Sequence, residues 1–308
     1  MKSSVLDGFR LTVAEKHLGV YGIRVEDKSG ESATHFWRSD NEVNLYSASK
    51  TFSSLAAGLC ASEGRFCLTD KILDFFPEFR SAAAKGSGDI TLRDLLHMES
   101  GKLQFWFGES EKERDTKDWA ELFFRVPVTK KPGTFFYYSN ACTYMVGRAI
   151  EKVTGQNVRD FLLPRLFRPL GILNPQWHSD PAGHTLCATQ LFLTLGQFAR
   201  LGTLLLHGGV FRGKRLVEER YLQEMTTDTV KSGGGDPESL QGYGYQIWLC
   251  TQPGSFRADG AYGQFCVLLP QQGVAVTITS HEERRTYDIL RSVFEDILPR
   301  LSESTATD

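Results

Sequence analysis

No stretch of this 308-residue chain approaches the roughly 20 consecutive apolar residues that a membrane-spanning helix needs. The opening residues, Met1 to Arg10, also lack the apolar run of a signal peptide. Charge of one sign is missing as well: 35 Lys and Arg stand against 37 Asp and Glu, a formal net charge of −2, with no block of like charge. That balance argues against nucleic acid or an anionic membrane as the main partner. Six cysteines (Cys60, Cys67, Cys142, Cys187, Cys250 and Cys266) include no C-x-x-C pair. His97, His178, His184, His207 and His281 show no zinc-ligand spacing, so no metal is implied and the thiols are expected to be reduced and mostly buried. No G-x-S-x-G elbow is present, which argues against an α/β-hydrolase. Gly208 to Arg215 nearly spells a P-loop but lacks the Ser/Thr for magnesium and follows a helical pattern, so it is expected to be a surface turn. These absences leave a soluble, cytoplasmic globular protein as the expectation, with a processed secreted form still open.

What is present is an orderly alternation of patterns. Residues 3–17 suit an opening helix, residues 19–26 alternate like a strand, and residues 34–38 suit its hairpin partner. Helical spacing follows Ser47, and a short helix is expected over 68–77. Further helices are expected at 117–125, 139–154, 157–167, 188–207 and 217–226. Strands return at 243–250, 255–259, 264–270 and 273–280, and a last helix at 285–298 is expected to stop at Pro299, leaving a disordered tail. Tight turns between consecutive strands force antiparallel pairing. The expected fold is therefore α+β: one antiparallel sheet built from both termini and flanked by helices, with a mainly helical inserted lobe. The sheet lobe is expected at about 1–88 plus 238–301 and the helical lobe at about 89–237.

Ser47-Ala48-Ser49-Lys50 opens the second predicted helix, and Ser47 is the only serine with a lysine three residues on. That spacing puts both side chains on one helix face, where a lysine of lowered pKa can take the serine's proton. Tyr138-Ser139-Asn140 precedes another helix. There a tyrosine of depressed pKa can relay a proton, and an asparagine can hold a substrate carbonyl and orient the lysine. Asp259-Gly260-Ala261-Tyr262-Gly263-Gln264 begins a predicted strand whose glycines allow close approach of a ligand. Trp106 with Phe105 and Phe107 suits either a substrate wall or a lobe interface.

In this order the three motifs resemble the serine β-lactamase and penicillin-binding-protein superfamily. The resemblance is to the branch of class C β-lactamases, DD-peptidases and esterases, whose second motif is Y-x-N, and runs from about residue 18 to about 300. It implies Ser47 as the acylated nucleophile, Lys50 as its activating partner, Tyr138 as general base and acid, and Asn140 as a substrate ligand. Tyr262, Gly263 and Gln264 are expected at the third motif, with the Gln264 N–H completing an oxyanion hole. No metal or organic cofactor is implied, and the expected partners are small esters, amides or β-lactams. The third motif departs from the family's K-T-G or H-x-G, reading best as Ala261-Tyr262-Gly263. The absent cation normally binds a substrate carboxylate, which favours esters and simple amides over penicillins; Arg257 or Lys102 is a candidate replacement. A sensor domain that is acylated without turnover, or a descendant with no covalent chemistry, is the alternative.

Overall fold

The computed structural model describes residues 1–107 and 116–304. Its strands are β1 (Val20–Asp27), β2 (Ser32–Phe36), β3 (Val43–Asn44), β4 (Gln176–Trp177), β5 (Leu191–Leu193), β6 (Val210–Phe211), β7 (Lys214–Arg215), β8 (Trp248–Leu249), β9 (Phe256–Gly260), β10 (Gln264–Leu269) and β11 (Val274–Ser280). The α-helices are α1 (Asp7–Glu15), α2 (Ser49–Ser62), α3 (Leu92–Leu96), α4 (Trp119–Arg125), α5 (Asn140–Thr154), α6 (Val158–Leu162), α7 (Leu195–Leu206), α8 (Glu219–Thr227), α9 (Thr286–Ser292) and α10 (Leu298–Ser304).

Strands from both ends of the chain form one six-stranded sheet in the order β2-β1-β11-β10-β9-β8, and every pairing in it is antiparallel. β10 and β11 are buried along their whole length, because the sheet has an apolar core on each face. Phe265, Val267, Val276 and Ile278 pack with Phe9 and Val13 of α1 and with Ile289 and Leu290 of α9. On the other face Ala258, Cys266, Leu268 and Ala275 join the larger core that contains α2, α5 and α7. α2 therefore lies between the sheet and the helical region, which puts its N-terminus beside the end of β9.

Four expectations change. Of the strand expected over 243–250, only β8 at Trp248–Leu249 forms, paired with β9. Residues 188–194 are not helical: β5 occupies 191–193, and α7 starts only after Thr194, whose side chain forms a reciprocal capping box with Gln197. The segment at 68–77 forms short 3₁₀ turns, Ile72–Phe75 and Pro77–Phe79, instead of one helix. The last helix does not stop at Pro299. A wide π-turn at Val293–Ile297 starts a new segment at Leu298, and a proline in a first helical turn has no N–H bond to lose. Residues 305–308, the end of the expected tail, lie outside the described residues. The near-P-loop is the β6–β7 hairpin. Among the described residues no helix is long and apolar enough to cross a membrane.

Candidate active site

The sequence dictates an abrupt entry to α2. Asn44 Oδ1 accepts the Tyr46 N–H at 2.8 Å, and Tyr46 takes a left-handed φ of 47° that non-glycine residues rarely adopt. A single 3₁₀ turn, Tyr46–Ala48, follows and delivers Ser47 to the start of α2. Strain of this kind is characteristic of positions that hold a reactive side chain in a fixed orientation. The Tyr46 ring is in turn braced 4.9 Å from that of Tyr262.

Lys50 is 1% exposed and sits one turn into α2. Its Nζ lies 2.9 Å from Ser47 Oγ, 2.6 Å from Asn140 Oδ1 and 2.9 Å from the Ala188 carbonyl oxygen. Burial pushes its pKa down to about 7, and the carboxylate of Asp259 only partly opposes that fall. The geometry serves both protonation states: as an ammonium Lys50 donates to all three oxygens, and as a neutral amine it keeps its two N–H bonds to Asn140 and Ala188 and turns its lone pair to the Ser47 proton. Asn140 opens α5 under the cap of Ser139, whose hydroxyl accepts the Cys142 N–H at 3.3 Å. Tyr-Ser-Asn is thus a capping triplet and a site motif at once.

Tyr138 is clamped between rings, stacked on Trp248 at 5.5 Å and edge-on to Tyr243 at 6.0 Å. Lys50 Nζ is 5.0 Å from the centre of its ring. The expected depression of its pKa is not found. Burial drives the phenol well above its ordinary value, and a side-chain hydrogen bond with Ser47 offsets only part of the rise. The physical reason is the burial of the phenol itself, while the neighbouring lysine, with its own pKa pulled down to about 7, is only partly charged at neutrality. Tyr138 is therefore a protonated donor, and Lys50 is the group titrating near neutrality.

The third stretch sits in a different register from the expected one. A Cβ on Gly260 would lie 2.1 Å from the Leu45 carbonyl oxygen and 3.1 Å from the Ala48 nitrogen, so the last residue of β9 presses directly on the Ser47 turn. Gly263 points elsewhere: a Cβ there would meet Ser280 Oγ at 2.4 Å. Tyr262 stacks on His281 at 4.4 Å, and Gln264 pairs with Gly260 in the ladder while its side-chain amide engages the backbone of Ser280. Substituting alanine at Gly260 should displace the nucleophile. Since a misplacement of about 1 Å can cost ~100-fold, the variant is expected to lose at least that much turnover, measured as kcat/KM on a neutral ester.

Neither candidate replacement cation is free. Arg257 is wholly buried and bonded to Asp259, Glu238 and the Leu249 carbonyl. Lys102 is 1% exposed, with its Nζ 2.9 Å from Ser87 Oγ and 2.5 Å from the Val126 carbonyl. Of the aromatic trio, Phe107 is buried among Trp106, Trp119 and Tyr144, whereas Phe105 is exposed. The histidines serve elsewhere: His97 contacts the Asp228 carbonyl and His184 the Glu151 carboxylate.

A sequence model of the Beta-lactamase family matches residues 15–293, most of the chain. The chain belongs to the β-lactamase family. Lovastatin esterase from Penicillium rubens is 28% identical over 304 residues, 73% of each chain. Among solved structures, a candidate 6-aminohexanoate-dimer hydrolase from Bacillus anthracis superposes with a TM-score of 0.80 at 19% identity, covering 95% of this chain and 82% of that one. A penicillin-binding-protein homologue from Caulobacter crescentus gives 0.72 at 16% identity, covering 96% and 97%. These neighbours share the β-lactamase/transpeptidase fold, an antiparallel sheet with helices on both faces.

Within that fold, several parts of the site carry no sequence motif. The Ala188 carbonyl comes from a loop tied to α2 by Ser53 Oγ, which donates to the Cys187 carbonyl at 2.9 Å, and by Ser49 Oγ, which accepts the Leu191 N–H. A backbone acceptor has no residue signature, although the capping box that ends this loop is readable in the sequence. Trp248, stacked on Tyr138, lies outside the motifs, and Asp259 opens the third one without a role assigned to it there.

Proposed function

We propose that this member of the β-lactamase family is a serine hydrolase that cleaves small esters, and simple amides more slowly, through an acyl-enzyme on Ser47. The observation that carries the proposal is the buried Lys50 amine 2.9 Å from Ser47 Oγ with its N–H bonds committed to Asn140 and Ala188. Ser47 Oγ attacks the substrate carbonyl as its proton passes to Lys50 Nζ. The N–H groups of Ser47 and Ala261, which flank the contact between the Ser47 turn and Gly260, receive the developing oxyanion. Tyr138 gives its proton to the leaving oxygen or nitrogen and recovers one from Lys50. Water then attacks the acyl-enzyme, Lys50 accepts its proton, and the acid leaves as Ser47 is reprotonated. The relationship to a lovastatin esterase supports an ester substrate.

Because Lys50 must be neutral to act, and its pKa lies at about 7, kcat/KM should fall below neutrality. Each unit of pH under that value is expected to cost about tenfold, with a plateau above it, read from a pH–rate profile on a neutral ester. The direct test compares p-nitrophenyl butyrate with a chromogenic cephalosporin, in the native protein and in Ser47→Ala. Sustained Ser47-dependent ester turnover, with cephalosporin turnover one to two orders of magnitude weaker for want of a carboxylate-binding cation, supports the proposal. A stoichiometric burst that stops would instead indicate an acylated sensor.

A further inference from the structure

The strand end that presses on the nucleophile carries a carboxylate. Asp259 directly precedes Gly260 on β9 and lies opposite Phe265 in the ladder. Its Oδ2 accepts the Arg257 Nε–H at 2.9 Å, and its side chain keeps 17% of its surface while that of Arg257 keeps none. The remaining Arg257 donors are spent inward: Nη1 on the Leu249 carbonyl at 2.8 Å and on Glu238 Oε2 at 3.4 Å, and Nη2 on the Glu238 carbonyl at 3.2 Å. Two carboxylates therefore share one guanidinium, and only Asp259 keeps an accessible face, since the Glu238 side chain is 2% exposed. Burial holds the Asp259 carboxyl above its ordinary value, and the Arg257 guanidinium offsets only part of that rise. Gly260, the next residue along, presses on the Ser47 turn, so the partly exposed Asp259 carboxylate lies one residue from the backbone contact that holds the nucleophile.

We infer that Asp259 makes this cleft select acyl donors bearing a protonated amine, admit neutral ones and reject those bearing a carboxylate. The reaction in this statement rests on the hydrolase reading above; the charge selection in binding does not. An ammonium group and a carboxylate on otherwise matched substrates differ in sign against the same fixed charge. At separations of several ångströms and an intermediate dielectric, that difference amounts to roughly ten- to a hundredfold in apparent affinity. The substrate class that follows is esters and amides of short amino acids.

The test uses the ethyl esters of β-alanine, butyric acid and monosuccinate, which share one chain length and differ only in their terminal group. At pH 8, kcat/KM followed by proton release should rank β-alanyl above butyryl above succinyl, with the extremes at least about tenfold apart. In Asp259→Asn, which keeps an acceptor for Arg257, the ratio of the extremes should collapse to within about threefold, and Asp259→Glu should restore most of it. The pH limb set by Lys50 should also move to lower pH in Asp259→Asn, because the carboxylate opposes the effect of burial on that lysine. Calorimetric binding of the same esters to Ser47→Ala reads charge selection without turnover. If the butyryl ester is not hydrolysed but the Ser47→Ala ranking persists and depends on Asp259, the hydrolase reading fails and the selection stands. Equal treatment of the β-alanyl and succinyl esters in both measurements, or a ranking that survives Asp259→Asn, overturns it.

Discussion

Replacement of Lys50 by methionine should reduce ester turnover by roughly 10²–10⁴-fold, the usual contribution of a positioned general base. The substitution keeps the length and apolar stem of the side chain, and the buried amine it removes is already disfavoured as a cation. The loss is therefore expected in kcat and not in folding. Asn140 Oδ1 and the Ala188 carbonyl lose their donor, at about 1–3 kcal/mol for each buried group left unpaired, while removing the amine's own desolvation offsets part of that cost. Circular dichroism and thermal unfolding should show a folded protein with a modestly altered Tm. The pH profile separates a base from a structural lysine: the residual activity of Lys50→Met should no longer rise between pH 6 and 8. Persistence of that rise would assign it to another group.

Ser47→Ala should have the larger effect, a loss of about 10⁴–10⁶ in kcat, because among the described residues no other nucleophile stands beside Lys50 to form the acyl-enzyme. The fold should be indifferent to it or slightly more stable. The left-handed φ of Tyr46 is retained, and among the described residues the side-chain hydrogen bonds lost are those of Ser47 with Lys50 and Tyr138. Equal activity in Ser47→Ala and the native protein would point to a different nucleophile and remove the basis for the roles of Lys50 and Tyr138. The two variants together also distinguish units from independent parts. If Ser47 and Lys50 act as one device, the double variant should be no worse than Ser47→Ala alone, since the contributions of cooperating groups do not add.

The legible parts of this protein are those whose chemistry demands particular side chains at fixed spacing. Ser47 and Lys50 are one helical turn apart, and Tyr138 and Asn140 flank a capping serine, so both pairs stand out in the amino-acid sequence itself. The antiparallel sheet is legible for a related reason: Gln271-Gln272-Gly273 between two apolar strands leaves only a hairpin, observed as the β10–β11 pairing.

The rest is hidden by backbone. Ala188 contributes a carbonyl, which every residue has. The third motif slips by three residues because glycines at 260 and 263 are interchangeable as letters; only the contact of Gly260 with the Leu45 carbonyl shows which one meets the nucleophile. Residues 188–194 read as helix because their apolar spacing runs on into α7, and the Thr194–Gln197 capping box is the signal that separates them. The tyrosine departs from expectation on electrostatics: burial raises its own pKa, and the lysine beside it, brought down to about 7 by the same burial, is only partly charged at neutrality.

The central claim is that Ser47 becomes acylated with Lys50 as its base. It is tested most directly by quenching the protein with acid during turnover of p-nitrophenyl butyrate and measuring intact mass and peptide mass. The expected result is a single added butyryl group on the peptide containing Ser47, formed more slowly below pH 7, greatly reduced in Lys50→Met and absent in Ser47→Ala. A butyryl group on any other residue, or turnover that proceeds unchanged in Ser47→Ala, would contradict it.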